Sequence, residues 1–142
     1  MTPTLAGRIQ TRVFLVLVIG VPWTLLIGPA LPRPPGASLG DAYVVLLGAV
    51  VLVAVLGIGW EFLYQALQQL RWEKDWPTLF GLVTAVPEGL LTYGVLRGLG
   101  ADVDGVAFLI QFTTLWLLVW LAANGPMRVV FVRWRYRGGR LL

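Results

Sequence analysis

The sequence contains no cysteine and no histidine, and charged residues make up only 13% of its 142 positions. Without thiolate or imidazole ligands, the chain has no means to form Cys/His zinc sites, iron–sulfur clusters, His- or Cys-ligated haem, or disulfides. The same absences exclude histidine acid–base catalysis and cysteine nucleophiles. We therefore expect no metal site, no cofactor and no enzymatic activity.

The scarcity of charge is matched by an excess of hydrophobic residues, which make up 58% of the chain. A soluble domain usually carries about 25% charged residues, so this composition is typical of a membrane protein. The length suits one domain, and we assign residues 1–142 to a single four-helix transmembrane domain. The preference for arginine, glycine, alanine and proline indicates a GC-rich bacterial source. We accordingly expect a multi-pass protein of the bacterial cytoplasmic (inner) membrane.

Four apolar segments, at about 13–31, 42–70, 78–96 and 106–123, carry the fold prediction. The first is uncharged over nineteen residues, which is enough to span a bilayer, and Pro22 predicts a kink within it. A signal peptide is the alternative for this segment, although its apolar run is long and no A-x-A cleavage site follows. We predict an all-α integral membrane protein consisting of a bundle of four transmembrane helices.

The basic residues predict the orientation of the bundle. They concentrate in the N-terminal tail, in the middle loop and in the C-terminal tail at 127–142, which alone holds five arginines. Since lysine and arginine are enriched in cytoplasmic segments, both termini and the middle loop are expected in the cytoplasm.

A helical hairpin around the polar turn 71–77 carries the main functional clue. Glu61 lies thirteen residues before Lys74 and Glu88 fourteen residues after it, so both carboxyls are expected about 20 Å of helix from the turn. A carboxylate at that depth needs a cation, water or several donors. No lysine or arginine is expected at matching depth.

Two interpretations of these acids stay open. In the first, Glu88 and Glu61 bind protons or cations, with Thr84 and Thr92 beside Glu88 on the same helix face. In the second, Glu88 is a hydrogen-bonded residue that holds helices or subunits together. Glu61 is then solvated where the second helix leaves the membrane.

Small residues at four-residue spacing predict the packing of the hairpin. Gly81, Ala85 and Gly89 follow this spacing on the third helix, and Gly57 lies on the inner face of the second. Such residues let helices approach closely in lipid. We expect these two faces to meet each other.

The C-terminal tail alternates basic and aromatic residues. Arg133, Trp134, Arg135 and Arg137 are predicted to contact anionic lipid or a partner protein. Nucleic acid is not an expected partner, because the segment is short and the bilayer competes for the same charges.

Two functions therefore remain as hypotheses. The first is a non-enzymatic structural or accessory subunit of a membrane complex, which contacts the lipid bilayer and either other membrane subunits or copies of itself. The alternative is a small oligomeric proton- or cation-coupled transporter or channel that uses Glu88.

Overall fold

A computed structural model describes residues 3–73 and 76–142, and over these ranges the protein is all-helical, with 78% helix and no strand. Four helical segments are long and apolar enough to cross a membrane: Leu5–Ala30, Leu39–Leu70, Thr78–Gly98 and Gly105–Val130. We call them spans 1 to 4. The predicted all-α architecture with four such helices is confirmed.

Span 1 begins much earlier than the predicted segment 13–31. Helix α1 covers Leu5–Leu15, and the Thr4 side chain caps it by accepting a hydrogen bond from the Gly7 N–H at 3.2 Å. Arg8 and Arg12 therefore lie on a helix rather than in a tail. Their helical position places both arginines in the site described below.

The second half of span 1 is irregular where a proline was expected to kink it. A π-helical segment, Val16–Gly20, leads into helix α2, Val21–Ile27, and a 3-10 turn, Gly28–Ala30, ends the span. Pro22 has no N–H to donate to the preceding turn, and wide turns are a common response to a disturbed helical ladder. The helix thus continues through the proline with a changed pitch.

Span 2 is one helix, α3, Leu39–Leu70. Ser38 and Asp41 form a capping box at its start, so that Ser38 is the cap and Asp41 binds back to it. Its 32 residues extend about 48 Å, which exceeds the thickness of a hydrocarbon core.

Spans 3 and 4 are each interrupted once. Span 3 consists of α4, Thr78–Val83, and α5, Ala85–Gly98. The break lies next to the Val83 carbonyl, for which Pro87 has no N–H donor. Span 4 consists of α6, Gly105–Asn124, and α7, Pro126–Val130; a short helix α8, Val132–Tyr136, follows.

The core between the spans is apolar except for a few buried polar side chains. Aliphatic and aromatic residues of spans 1, 2 and 4 pack around Val50, Val53 and Leu115. The buried polar side chains are Thr24, Glu61, Gln68, Glu88, Thr92 and Gln111. These six mark two polar clusters, one charged and one neutral.

The neutral cluster joins spans 1, 2 and 4. The Gln111 side-chain amide donates to Thr24 Oγ1 at 2.9 Å and to the Leu46 carbonyl at 2.8 Å. Nearby, the Trp23 indole donates to Thr114 Oγ1 at 2.9 Å. Gln111 is only 1% exposed.

The C-terminal segment folds back onto α1. The Thr4 N–H donates to the Gly138 carbonyl at 2.8 Å, and the Thr11 hydroxyl donates to the Gly139 carbonyl at 2.8 Å. A Cβ on Gly7 would overlap the Gly138 carbonyl oxygen, so this close approach of two backbones requires glycine. The two ends of the described chain are therefore packed together.

Candidate functional site

Arg12 joins the two glutamates that the sequence singled out. Its Nε donates to Glu61 Oε1 at 2.6 Å. Its two terminal nitrogens donate to Glu88, with Nη1 2.6 Å from Oε2 and Nη2 3.0 Å from Oε1. The planar guanidinium suits this two-pronged contact with a carboxylate. One side chain from span 1 therefore connects spans 2 and 3.

Arg8 supplies the second cation, one helical turn before Arg12. Its Nη1 donates to Glu61 Oε2 at 3.3 Å, and its Nη2 donates to the side-chain oxygen of Gln68. The guanidinium also lies over the Trp76 ring, 4.7 Å from the ring centroid, where a cation is attracted by the aromatic face. Glu61 is thus held by two arginines.

Glu88 receives a third donor from span 2. The Tyr64 hydroxyl donates to Glu88 Oε1 at 2.8 Å, and only 2% of the Glu88 surface is exposed. The ionic network, Arg8, Arg12, Glu61 and Glu88, contains two positive and two negative side chains. Balanced charge, with a hydrogen bond to every carboxylate oxygen, is what allows such groups to lie inside an apolar bundle.

Two expectations about these acids are corrected. No arginine was expected at the depth of Glu88, yet Arg12 contacts it directly. Glu61 was expected to be solvated in one interpretation, yet it is only 5% exposed. The two glutamates do lie at a similar depth, because the same guanidinium reaches both.

Sequence reasoning missed Arg8, Arg12, Tyr64 and Gln68 as members of the site. A signal for the arginines was present, because residues four apart lie on one helix face and Thr4 is a suitable N-cap. Together these features predict a helix that starts ahead of the apolar run and carries both cations on one side.

The two threonines proposed beside Glu88 donate to backbone carbonyls. Thr84 donates to the Gly81 carbonyl at 3.1 Å, and Thr92 donates to the Glu88 carbonyl at 2.8 Å. Of the four predicted binding residues, Glu61 and Glu88 are brought together in one network. Ion binding by any of them stays a prediction.

The small residues lie at contacts between spans, although their neighbours differ from those expected. A Cβ on Gly57 would lie 2.5 Å from Arg12 Cδ, so this glycine makes room for the arginine side chain. A Cβ on Gly89 would lie 2.7 Å from a ring carbon of Phe112 in span 4. Gly81 also faces span 4, through the ring of Trp120, and Ala85 packs against the apolar core that contains Phe112.

In the C-terminal segment, Trp134 is buried and the neighbouring arginines are exposed. The Trp134 indole donates to Thr11 Oγ1 at 2.7 Å, and its ring packs with Leu15 and Met127. This corrects its predicted position at a lipid or partner contact. The side chains of Arg133, Arg135 and Arg137 remain accessible for such a contact.

A cavity of about 460 Å³ lies beside the ionic network. Residues of all four spans line it, and Arg8, Arg12 and Glu61 form part of its wall. Among residues 3–73 and 76–142, no three acidic, histidine or cysteine side chains come together as a metal site would require. Charged side chains and aromatic rings form much of the cavity wall.

Comparisons with protein-family models, with curated proteins and with solved structures gave no match for this chain. The geometry of the ionic network and of the cavity is therefore the basis for a functional proposal.

Proposed function

We propose that this protein is a small, non-enzymatic membrane protein of the bacterial cytoplasmic membrane that serves as a structural or accessory subunit of a membrane complex. In this proposal both termini lie in the cytoplasm, and the partners are lipid and other membrane subunits or further copies of the chain. The ionic network is then a joint that fixes spans 1, 2 and 3 against each other.

The observation that carries the proposal is the set of hydrogen bonds that the Glu88 carboxylate accepts. Its carboxylate accepts three hydrogen bonds from protein side chains, two from Arg12 and one from Tyr64. An acid that carries a proton or cation has to exchange its partners in every cycle. To exchange its partners, Glu88 has to break the bidentate ion pair with Arg12. A structural role therefore fits this residue better.

The outer surface of the bundle also supports an accessory role. Large apolar side chains remain exposed along every span, for example Val44, Leu90 and Leu109. Exposed apolar faces of this extent are suited to lipid and to other transmembrane helices.

A transporter or channel that uses Glu88 is the second candidate. Its support is the cavity, which reaches Glu61 and thereby the network that contains Glu88. In that function, displacement of Arg12 from Glu88 is the step that opens the acid to a proton or cation.

One pair of measurements separates the candidates. Affinity purification of the tagged native protein in mild detergent is expected to recover membrane subunits in fixed ratio, or a defined homo-oligomer. Vesicles reconstituted with the pure protein are expected to show no proton or cation flux above protein-free vesicles. Flux that Glu88→Gln abolishes would overturn the proposal, provided that the matched variant Glu73→Gln, at an exposed glutamate, leaves it intact.

A further inference from the structure

Part of the wall of the cavity beside the ionic network is formed by tryptophan rings whose N–H groups are already used. The Trp116 indole donates to the Gly81 carbonyl at 2.9 Å, and the Trp120 indole donates to the Thr78 carbonyl at 2.9 Å. The third indole, that of Trp134, is bound to Thr11. Because these N–H groups are used within the protein, these three of the four tryptophans that line the cavity present apolar ring surface to it.

The cavity has one polar end and one apolar end. Arg8, Asn124 and Arg128 line it near the ends of spans 1 and 4, whereas Leu15 and Leu115 line it deeper in the bundle. Arg8 and Leu15 are separated by about 10 Å along α1. A ligand that fills this space has to be amphipathic, with its polar group at the end where the chain termini lie.

The charge at the polar end is positive. The two arginines and two glutamates of the ionic network balance each other, which leaves Arg128 as the surplus charge on the cavity wall. Arg128 is exposed and donates to the Asn124 side chain at 3.0 Å, and it forms no ion pair with a carboxylate in the described part of the chain. Residues 126–142 contain five arginines and no acidic residue.

A buried donor beside the cavity also lacks an acceptor. Arg8 has only 7% of its side chain exposed, and its Nε has no hydrogen-bond partner among residues 3–73 and 76–142. Buried donors in folded proteins nearly always find an acceptor. This second observation is independent of the charge at Arg128 and leaves an N–H donor of Arg8 without an acceptor at the same end.

We infer that the cavity binds one anionic phospholipid, with its phosphate at Arg128 and Arg8 and one acyl chain along the tryptophan-lined wall. The volume of about 460 Å³ lies within the range of small-molecule sites, about 300–1,000 Å³, and suits part of a lipid rather than a whole one. Basic pockets between membrane helices are a recognised setting for phosphate headgroups. The remainder of the lipid lies in the bilayer, through the open side of the cavity.

The test uses the full-length protein, stripped of lipid in a neutral detergent and titrated with phosphatidylglycerol, phosphatidylcholine or inorganic phosphate. Native mass spectrometry counts the bound molecules. One phosphatidylglycerol is expected to bind more tightly than phosphatidylcholine. Arg128→Gln is expected to weaken its binding about fivefold, the effect of one basic residue near an anionic lipid. Arg135→Gln, at an exposed arginine away from the cavity, is the matched control and is expected to bind as the wild type does.

A second pair of variants tests the apolar part of the cavity. Ala123→Phe narrows the cavity and is expected to abolish phosphatidylglycerol binding, whereas Leu121→Phe, on the exposed face of the same helix, leaves it unchanged. Thermal unfolding verifies that each variant is folded. If Ala123→Phe does not fold, the comparison of Arg128→Gln with Arg135→Gln decides whether the cavity binds the lipid.

Three results would overturn the inference. Equal binding of both lipids indicates an uncharged apolar slot. Displacement of lipid by inorganic phosphate indicates a site for a soluble phosphate. Equal weakening by Arg128→Gln and Arg135→Gln indicates attraction by the whole basic segment rather than a cavity site.

Discussion

The two polar clusters inside the bundle differ in how completely their side-chain oxygens are hydrogen-bonded. In the ionic network, all four carboxylate oxygens of Glu61 and Glu88 accept a hydrogen bond from a protein donor. In the neutral cluster, Gln111 uses its amide nitrogen twice, but its oxygen has no partner within residues 3–73 and 76–142. Both clusters are buried, so exposure to solvent does not account for the contrast.

The contrast reflects the free energy that it costs to bury each kind of group without a hydrogen-bond partner. An unpaired amide oxygen costs about 1–3 kcal/mol on burial, whereas an unpaired buried charge costs several times as much. A bundle therefore tolerates one incomplete amide but needs every carboxylate oxygen to be bound. The following substitutions test this difference, starting with the charge on which the ionic network depends.

Arg12→Met is expected to have the largest effect. It leaves Glu88 without a cation, and removing one partner of a buried ion pair typically costs about 3–5 kcal/mol. The measurement is thermal unfolding of the purified protein in detergent, followed by size-exclusion chromatography of the heated sample. Arg12→Met combined with Glu88→Gln is expected to recover part of the loss, because the unpaired charge is then gone. If Arg12→Met unfolds at the wild-type temperature, the network is not a structural joint.

Gly57→Ala is expected to cost less, about 1–3 kcal/mol, because its methyl group presses against the Arg12 side chain. Gly48→Ala is the matched control, since it lies on the same helix and a Cβ there meets nothing within 4 Å. The control is expected to be neutral or more stable by about 0.5–1 kcal/mol. Equal unfolding temperatures for the two variants would contradict the role assigned to Gly57.

Gln111→Leu tests the neutral cluster. It removes the hydrogen bonds to Thr24 and Leu46, but it also removes an oxygen that has no partner. Hydrogen bonds between membrane helices are worth about 0.6–1.7 kcal/mol, so the loss is expected in that range. Denaturant titration alongside Arg12→Met gives the comparison directly. A loss as large as that of Arg12→Met would mean that charge is not what separates the two clusters.

Glu73→Gln is expected to have the smallest effect. Glu73 pairs with Arg71 at 3.7 Å, but 74% of its side chain is exposed. Exposed ion pairs contribute between zero and about 1 kcal/mol, and salt weakens them further. We expect its unfolding temperature to match the wild type within error in high salt, and a clear drop there would show that this pair is shielded from solvent.

The four helices could be predicted from the sequence because each contains a long apolar run, which is a local signal. The ionic network could not be predicted in the same way. A segment chosen by hydropathy begins after the first charged residues. Arg8 and Arg12 were therefore assigned to the N-terminal tail. Their partners Glu61 and Glu88 lie 49 and 76 residues from Arg12, beyond the reach of any helical periodicity. The similar distance of the two acids from the 71–77 turn was predictable, whereas the identity of their counter-ions was not.

The position of Trp134 was missed for a related reason. Alternating arginine and aromatic residues predict a segment on the membrane surface, and the arginines are indeed exposed. Gly138 and Gly139 adopt positive φ angles of 63° and 85°, which turn the chain back onto Gly7 and bury the tryptophan. That contact joins the two ends of the sequence, so no local pattern contains it.

The sequence separation within the ionic network also orders its assembly in time. In the membrane protein that we propose, synthesis delivers Arg12 to the bilayer 76 residues before Glu88. During that interval its long side chain has to reach for water or lipid phosphate at the interface. We therefore expect span 1 to remain shallow and laterally mobile until span 3 is inserted, and to reach its final depth only when the carboxylate arrives.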